Sequence, residues 1–362
     1  MSAPAEIPRT RAIPDEDQRR HRRSVVIDTL ADIVCRSSGT VPLVVIHDAT
    51  RHGGHLADEL AEAVYARGQP CARLPDPAPL IDRDLWRADQ AAVTVVVADG
   101  PPHGDGPPTG RRDLVIYLRT PPDAHAHHGY GDAEHAADVV VDYHDPTWPV
   151  IRRVATHLEH ASERVYLTET RAFFAARAAT WDHKFGRDLP AYAQAIDQAA
   201  IPAGATVVDV GCGTGRAMEA LRAAVGPGGA VIGVDLTPHM LTVAGDSTEP
   251  AAALLLGDAR HLPLVDGSVD AIFAAGLIQH LPDPAVGLAE LARVTRPGGR
   301  LILFHPSGRA AQAARHGRSL REDEALGRPC LDQLLADAGW TLTDYDDPPH
   351  RFLALAARSG LR

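Results

Sequence analysis

The chain has 362 residues, enough for two domains of ordinary size, and its 45% apolar content is that of a globular protein. No uninterrupted apolar run approaches the roughly 20 residues needed to cross a bilayer. A formal charge of −11 disfavours nucleic acid as a partner, and four scattered cysteines without a CxxC pair (Cys35, Cys71, Cys212, Cys330) indicate neither a disulfide framework nor a zinc site.

Residues 1–23 are polar, contain prolines and the basic cluster Arg19, Arg20, Arg22 and Arg23, and lack the apolar core of a secretory signal. They read as the flexible tail of a cytoplasmic protein. Helical periodicity follows from Ser24 to Arg36. Val41 to Ile46 is a short buried strand running into His47-Asp48-Ala49-Thr50-Arg51-His52-Gly53-Gly54-His55, and a helix is expected over Leu56 to Arg67. Three further apolar runs, Val93 to Gly100, Asp113 to Pro121 and Ala137 to Asp142, read as strands. Clustered imidazoles at His125, His127, His128, His135 and His144 can bind metal. Here they lie in a glycine-containing segment with no fixed spacing, so a solvated loop and no metal site are expected.

This front half, residues 24–153, resembles the P-loop kinases of the uridine-kinase-like group, in degenerate form. Gly53 holds the second glycine position and Asp48 stands where the first belongs. The lysine position falls on Gly54 and the magnesium-binding hydroxyl on His55. Without lysine, hydroxyl and an arginine-rich lid, a transferring phosphoryl group loses most of the positive charge that stabilises its transition state. Kinase activity is therefore not expected. A structural role, partner docking or homo-oligomer formation is favoured, with residual nucleotide or anion binding as the other option, the anion being drawn by Arg51, His52 and the helix amino terminus.

Residues 154–187 read as a helical connector and cofactor lid, with Phe173, Phe174, Arg177 and Trp181 at helical spacing. Phe173 is expected to pack on the sheet. Phe174, Trp181, Asp182 and Lys184 are the candidates for the lid.

The carboxy-terminal half, residues 188–362, carries the most informative stretch, Val207-Val208-Asp209-Val210-Gly211-Cys212-Gly213-Thr214-Gly215. A buried strand runs into a glycine loop that opens a helix, and alternate glycines let backbone approach a ligand where a Cβ would collide. A dinucleotide fingerprint would need glycine at Arg216, and Asp209 sits awkwardly beside a pyrophosphate, so a cationic cofactor suits this loop. Val231 to Asp235 is a second strand ending in an acid placed to hold both ribose hydroxyls. A third, Ala253 to Leu256, leads to Asp258, suited to accept from an adenine amino group. Asp270 to Gly276 is a fourth, followed by Ile278-Gln279-His280. Arg296-Pro297-Gly298-Gly299 reads as a turn feeding the strand Leu301 to Phe304, and Trp340 to Tyr345 with Phe352 to Ala357 read as closing strands.

These ordered motifs resemble the small-molecule branch of the class I S-adenosylmethionine-dependent methyltransferases. The resemblance implies S-adenosyl-L-methionine as cofactor, held by Asp209, Gly211, Cys212, Gly213, Gly215, Asp235, Leu236, Asp258, Ala259 and Ala275 under a lid that includes Trp181. It also implies a small-molecule methyl acceptor alkylated on oxygen or nitrogen. The expected fold class is α/β, with two doubly wound α/β domains, the second Rossmann-like.

A protonated acceptor needs a base at the carboxyl end of the strands. His305, at the end of the strand Leu301 to Phe304, is the first candidate for base or substrate contact, and His280 the second. A short helix is expected from Gly308, whose Arg309 and His316 would clamp an acidic substrate; His350 lies on a loop facing solvent or substrate. Composition and family branch together suggest bacterial specialised metabolism. Two other classes stay open: a cofactor-binding scaffold or regulator, and an enzyme using the sulfonium for non-methyl chemistry.

Overall fold

A computed structural model describes residues 14–37, 43–48, 54–74, 95–99, 114–120, 134, 136–155, 157–158, 162–185, 188–247, 253–315, 319–321 and 323–360. The chain divides into two compact units, residues 12–170 and residues 171–362. It passes from the first to the second within one helix.

In the first unit, α1 (Glu16–Ser37) precedes β1 (Leu43–Asp48), α2 (Gly54–Ala66), β2 (Cys71–Leu74), β3 (Val95–Asp99), β4 (Leu114–Arg119), β5 (Val139–Asp142), β6 (Val150–Val154) and the start of α3 (Ser162–Ala175). The strand order is β2-β3-β1-β4-β5-β6. All neighbours are parallel except β6, which runs antiparallel to β5. Val26, Ile27, Leu30, Ile33 and Val34 recur every third or fourth residue of α1, and that stripe packs with Leu56, Leu60 and Val64 of α2 against Val44, Ile46, Ile116 and Leu118 of the sheet. The sheet thus reads as near-continuous apolar runs, as a parallel sheet covered by helices must.

The segment from Glu16, expected within the polar tail, is helical. The reason is Arg22. Its guanidinium is buried against the equally buried carboxylate of Glu169, and its Nε donates to the Pro149 carbonyl at 2.9 Å. Glu169 also accepts from the Ile151 amide at 2.6 Å, so one buried pair ties α1, β6 and α3 together. Burial pushes the Glu169 carboxyl up, and Arg22 opposes that shift.

In the second unit, the end of α3 leads through a 3₁₀ turn (Ala178–Thr180) to α4 (Trp181–Phe185) and α5 (Leu189–Ala199). Then follow β7 (Thr206–Val210), α6 (Met218–Val225), β8 (Ala230–Asp235), α7 (Pro238–Ser247), β9 (Ala253–Leu256), β10 (Val269–Ala275), a 3₁₀ turn (Ile278–His280) and α8 (Pro284–Val294). The unit closes with β11 (Thr295–His305), α9 (Arg309–Arg315), α10 (Arg328–Asp337), β12 (Trp340–Asp346) and β13 (Phe352–Arg358). The sheet order is β12-β13-β11-β10-β7-β8-β9, parallel from β11 to β9 and antiparallel in the β11, β13, β12 meander. Order therefore reverses between β7 and β10. In a doubly wound sheet a ligand binds at such a switch point, beyond the carboxyl ends of the strands. Phe273 and Phe304 stack in the centre with Tyr192 of α5, while Met218, Leu221 and Val225 of α6 cover the same face.

The expected Arg296-Pro297-Gly298-Gly299 turn is folded into β11 as a bulge. Val269 pairs with Thr295, whereas two residues later Ala271 already pairs with Arg300. Gly298 takes the left-handed conformation there, with φ of 77°.

Candidate active site

The glycine loop follows β7 with φ of 75° at Gly211, 55° at Gly213 and 86° at Gly215, all in the left-handed region that side chains avoid. β8 knits the loop in place. The Gly211 and Cys212 amides donate to the Val234 carbonyl at 2.8 and 3.1 Å, and the Gly213 amide donates to Asp235 Oδ2 at 2.9 Å. The other carboxylate oxygen of Asp235 accepts from the Thr237 amide at 2.7 Å. Cys212 is buried beneath the loop, with its thiol pushed well up by burial.

Asp209 ends 2% exposed, and burial, with the Asp235 charge as the second cause, pushes its carboxyl up to about 8. Asp235 is also raised, by burial, against its backbone hydrogen bonds. Two carboxylates thus lie close together in low-dielectric surroundings, beside a loop whose Gly211 leaves little room for a Cβ. A positive charge placed there would relieve both. The Gly211 Cβ position is 3.3 Å from Leu277 Cδ1, so a side chain would crowd the floor of the cradle.

Asp258 lies past β9 and is held by Arg260, whose Nη2 donates at 2.7 Å and whose amide donates at 2.9 Å. Burial alone would raise this carboxyl, but Arg260 holds it below the usual carboxylate range. Ala259 beside it is buried, and Ala275 ends β10 opposite Phe304. Leu236 presents its carbonyl to Arg171 Nε at 3.0 Å.

The segment before α5 contributes a second set of contacts. Trp181 and His280 both meet the Phe174 ring edge-on, at centroid distances of 5.7 and 5.4 Å. Asp182 accepts from the Thr214 hydroxyl at 2.6 Å and lies 3.9 Å from Arg216 Nε. Thr214 and Arg216 enter the site here although the sequence reading gave neither a role within it. Their signal was only their place in the loop. Phe173 stacks under Arg177 at 3.7 Å.

His305 closes β11 with Nδ1 engaged by Ser307, whose amide lies 3.0 Å away and whose carbonyl lies 2.9 Å away. Its Cδ2 would be 3.6 Å from a Cβ at Gly276, which has φ of 65° at the end of β10. His305 and Gly276 thus meet at the carboxyl edge of the sheet. Arg309 is engaged by the protein itself: its Nε donates to Asp347 at 2.9 Å, its amide donates to the same carboxylate at 2.8 Å, and Glu324 stands 3.5 Å away. An acidic substrate would meet these two carboxylates together with the arginine. His350 is exposed on the turn between β12 and β13. His316, Arg51, His52 and the histidines from 125 to 128 lie outside the described residues, and among the described residues no group of three potential metal ligands occurs.

Residues 208–303 match a family model described as a methyltransferase domain. The carboxy-terminal unit carries a methyltransferase domain. S-adenosyl-L-methionine is its cofactor. The chain is similar over 105 residues, at 46% identity, to an uncharacterized 37.1 kDa protein of transposon TN4556 from Streptomyces fradiae, covering 28% of this chain and 30% of that protein. It is 37% identical over 109 residues to a demethylmenaquinone methyltransferase of Bacillus licheniformis, covering 30% of this chain and 47% of the relative. The chain thus spans less than half the length of these curated relatives. A solved S-adenosylmethionine-dependent methyltransferase from Aquifex aeolicus superposes with a TM-score of 0.40 at 24% identity, over 46% of this chain and 88% of that one. The residues present fit a cationic cofactor: a loop with three glycines at positive φ, beside buried Asp209 and half-buried Asp235.

Proposed function

We propose that the chain transfers the methyl group of S-adenosylmethionine to oxygen or nitrogen of a small metabolite, in the cytoplasm and in bacterial specialised metabolism. The observation that carries this reading is the coupling of Asp235 to the Gly213 amide, which builds cofactor anchor and glycine cradle as one piece beside buried Asp209. When bound, the cofactor supplies an already activated methyl group, so most of the rate can come from alignment and exclusion of water.

In this reading Gly211, Cys212, Gly213 and Gly215 give the backbone approach, and Asp235 takes the ribose with its remaining lone pairs. Asp258 faces the adenine, and Phe174 and Trp181 exclude water at the entrance. His305 takes the proton of the acceptor at Nε2, the ring nitrogen opposite the one Ser307 engages, while His280 orders the wall against Phe174. Incubation of the chain with S-adenosylmethionine and a panel of phenols, carboxylic acids and amines tests it. Formation of S-adenosylhomocysteine with a methylated product supports the reading; cofactor binding without either product rejects it.

For residues 24–153 we propose a retired kinase-like module serving as a structural or docking element, which also accommodates self-association. The order β1 then α2, with β3 and β4 on either side of β1, supports that reading, and so do Gly54 and His55 in the sequence where a working loop needs lysine and a hydroxyl.

A further inference from the structure

We propose that Arg171 is a positioning residue that pins a strap, residues 171–182, across the cofactor crevice, an inference that rests on the reading of this segment as the cofactor lid. The strap meets the loops after three strands that are neighbours in the sheet, in the order β10-β7-β8. Arg171 donates through Nε to the Leu236 carbonyl after β8, at 3.0 Å. Asp182 accepts from the Thr214 hydroxyl after β7, at 2.6 Å, and the Phe174 ring meets His280 after β10 edge-on at 5.4 Å. A segment with these three attachments lies across the carboxyl ends of the strands, where a doubly wound sheet takes its ligand.

The attachments close into a circuit. Leu236 follows Asp235, whose carboxylate accepts from the Gly213 amide at 2.9 Å, and Thr214 follows Gly213. From Thr214 the circuit passes to Asp182 and returns along the strap to Arg171. The middle of the strap is held by packing, since the 3₁₀ turn Ala178–Thr180 lies on α7 with Ala178 buried. Arg171 opens the second unit in the chain, so its bond to Leu236 is where α3 is first tied to that unit, beside the acid proposed to hold the ribose. Phe174 stands one turn further on the same face of α3, and it is the ring on which Trp181 packs at 5.7 Å. Arg171 is exposed, and a single hydrogen bond from an exposed donor breaks and re-forms readily, as a latch must if cofactor is to exchange. Without that donor the strap lifts more often, and Phe174 leaves Trp181 with it.

The test pairs two measurements on the full chain. The first is release of S-adenosylmethionine, displaced by excess S-adenosylhomocysteine in stopped flow. The second is acrylamide quenching of Trp181 fluorescence in the cofactor-free chain, with the Trp181 signal defined by its loss in Trp181→Phe. Arg171→Met is expected to speed release about three- to tenfold, the weight of one exposed hydrogen bond, and to raise the quenching of Trp181. Arg171→Lys, which keeps a charged donor, is expected to bring both back toward wild type. Unchanged release or unchanged quenching in folded Arg171→Met, or a lysine variant no better than the methionine one, overturns the proposal. A wild-type chain that binds no S-adenosylmethionine rejects the underlying reading of the site, and the quenching comparison then still decides whether Arg171 pins the strap.

Discussion

The Asp235 carboxylate accepts from the Gly213 amide at 2.9 Å, so the acid proposed to hold a ribose also holds the loop proposed to carry the cofactor. Anchor and cradle stand or fall together. Asp235→Ala is expected to lower S-adenosylmethionine affinity by at least about tenfold, the loss of a charge-assisted hydrogen bond plus a loosened loop. Asp99→Ala, in the other unit, is expected to leave it unchanged. Titration calorimetry of both variants checks this, and equal losses would contradict a division of labour between the units.

Asp182 joins the entrance helix to the glycine loop through the Thr214 hydroxyl at 2.6 Å. Asp182 is exposed while Thr214 is buried, so Asp182→Ala is expected to cost under about 1 kcal/mol of stability. It is expected to speed cofactor release about three- to tenfold, because the strap over the loop opens more often. Stopped-flow displacement by S-adenosylhomocysteine measures the release rate.

Asp209 gives the site a pH signature. With its carboxyl pushed up to about 8 in the folded chain against 3.8 otherwise, the fold retains a proton that the unfolded chain has lost. Stability of the cofactor-free chain is therefore expected to fall as pH rises from about 4 to about 8. A bound cation favours the charged carboxylate, so cofactor affinity is expected to rise over the upper part of that window with release of a proton. Calorimetry in buffers of different ionisation enthalpy reads that proton directly, and Asp209→Asn is expected to abolish its release.

Gly233 is packed from two sides. A Cβ there would lie 2.8 Å from Leu254 Cδ2 and 3.0 Å from Cys212 Sγ, both closer than packed side chains tolerate. Gly233→Ala is expected to destabilise the unit by about 1–3 kcal/mol, readable as a lowered urea midpoint at unchanged slope.

The second unit was legible because each motif couples a buried apolar run to a residue type its geometry demands: glycine at positive φ, or an acid at a strand's carboxyl end. Asp235 and Gly213 carry that signal locally. What sequence did not show depends on contacts distant in the chain. The short strands Cys71–Leu74 and Val150–Val154 have little periodicity of their own, and β6 is completed by pairing with β5 and by a glutamate from α3. Arg22, read among tail charges, is inside because Glu169 lies 147 residues away in sequence. Arg309 looked like an exposed clamp because Asp347 and Glu324 are brought to it by the β12–β13 hairpin and the segment before α10.

Calorimetric titration of the whole chain with S-adenosylmethionine, S-adenosylhomocysteine and ATP, each with and without magnesium, tests the central claim most directly. The account predicts saturable, magnesium-independent binding of the first two at one site per chain and no heat from ATP. Binding of ATP alone would contradict it.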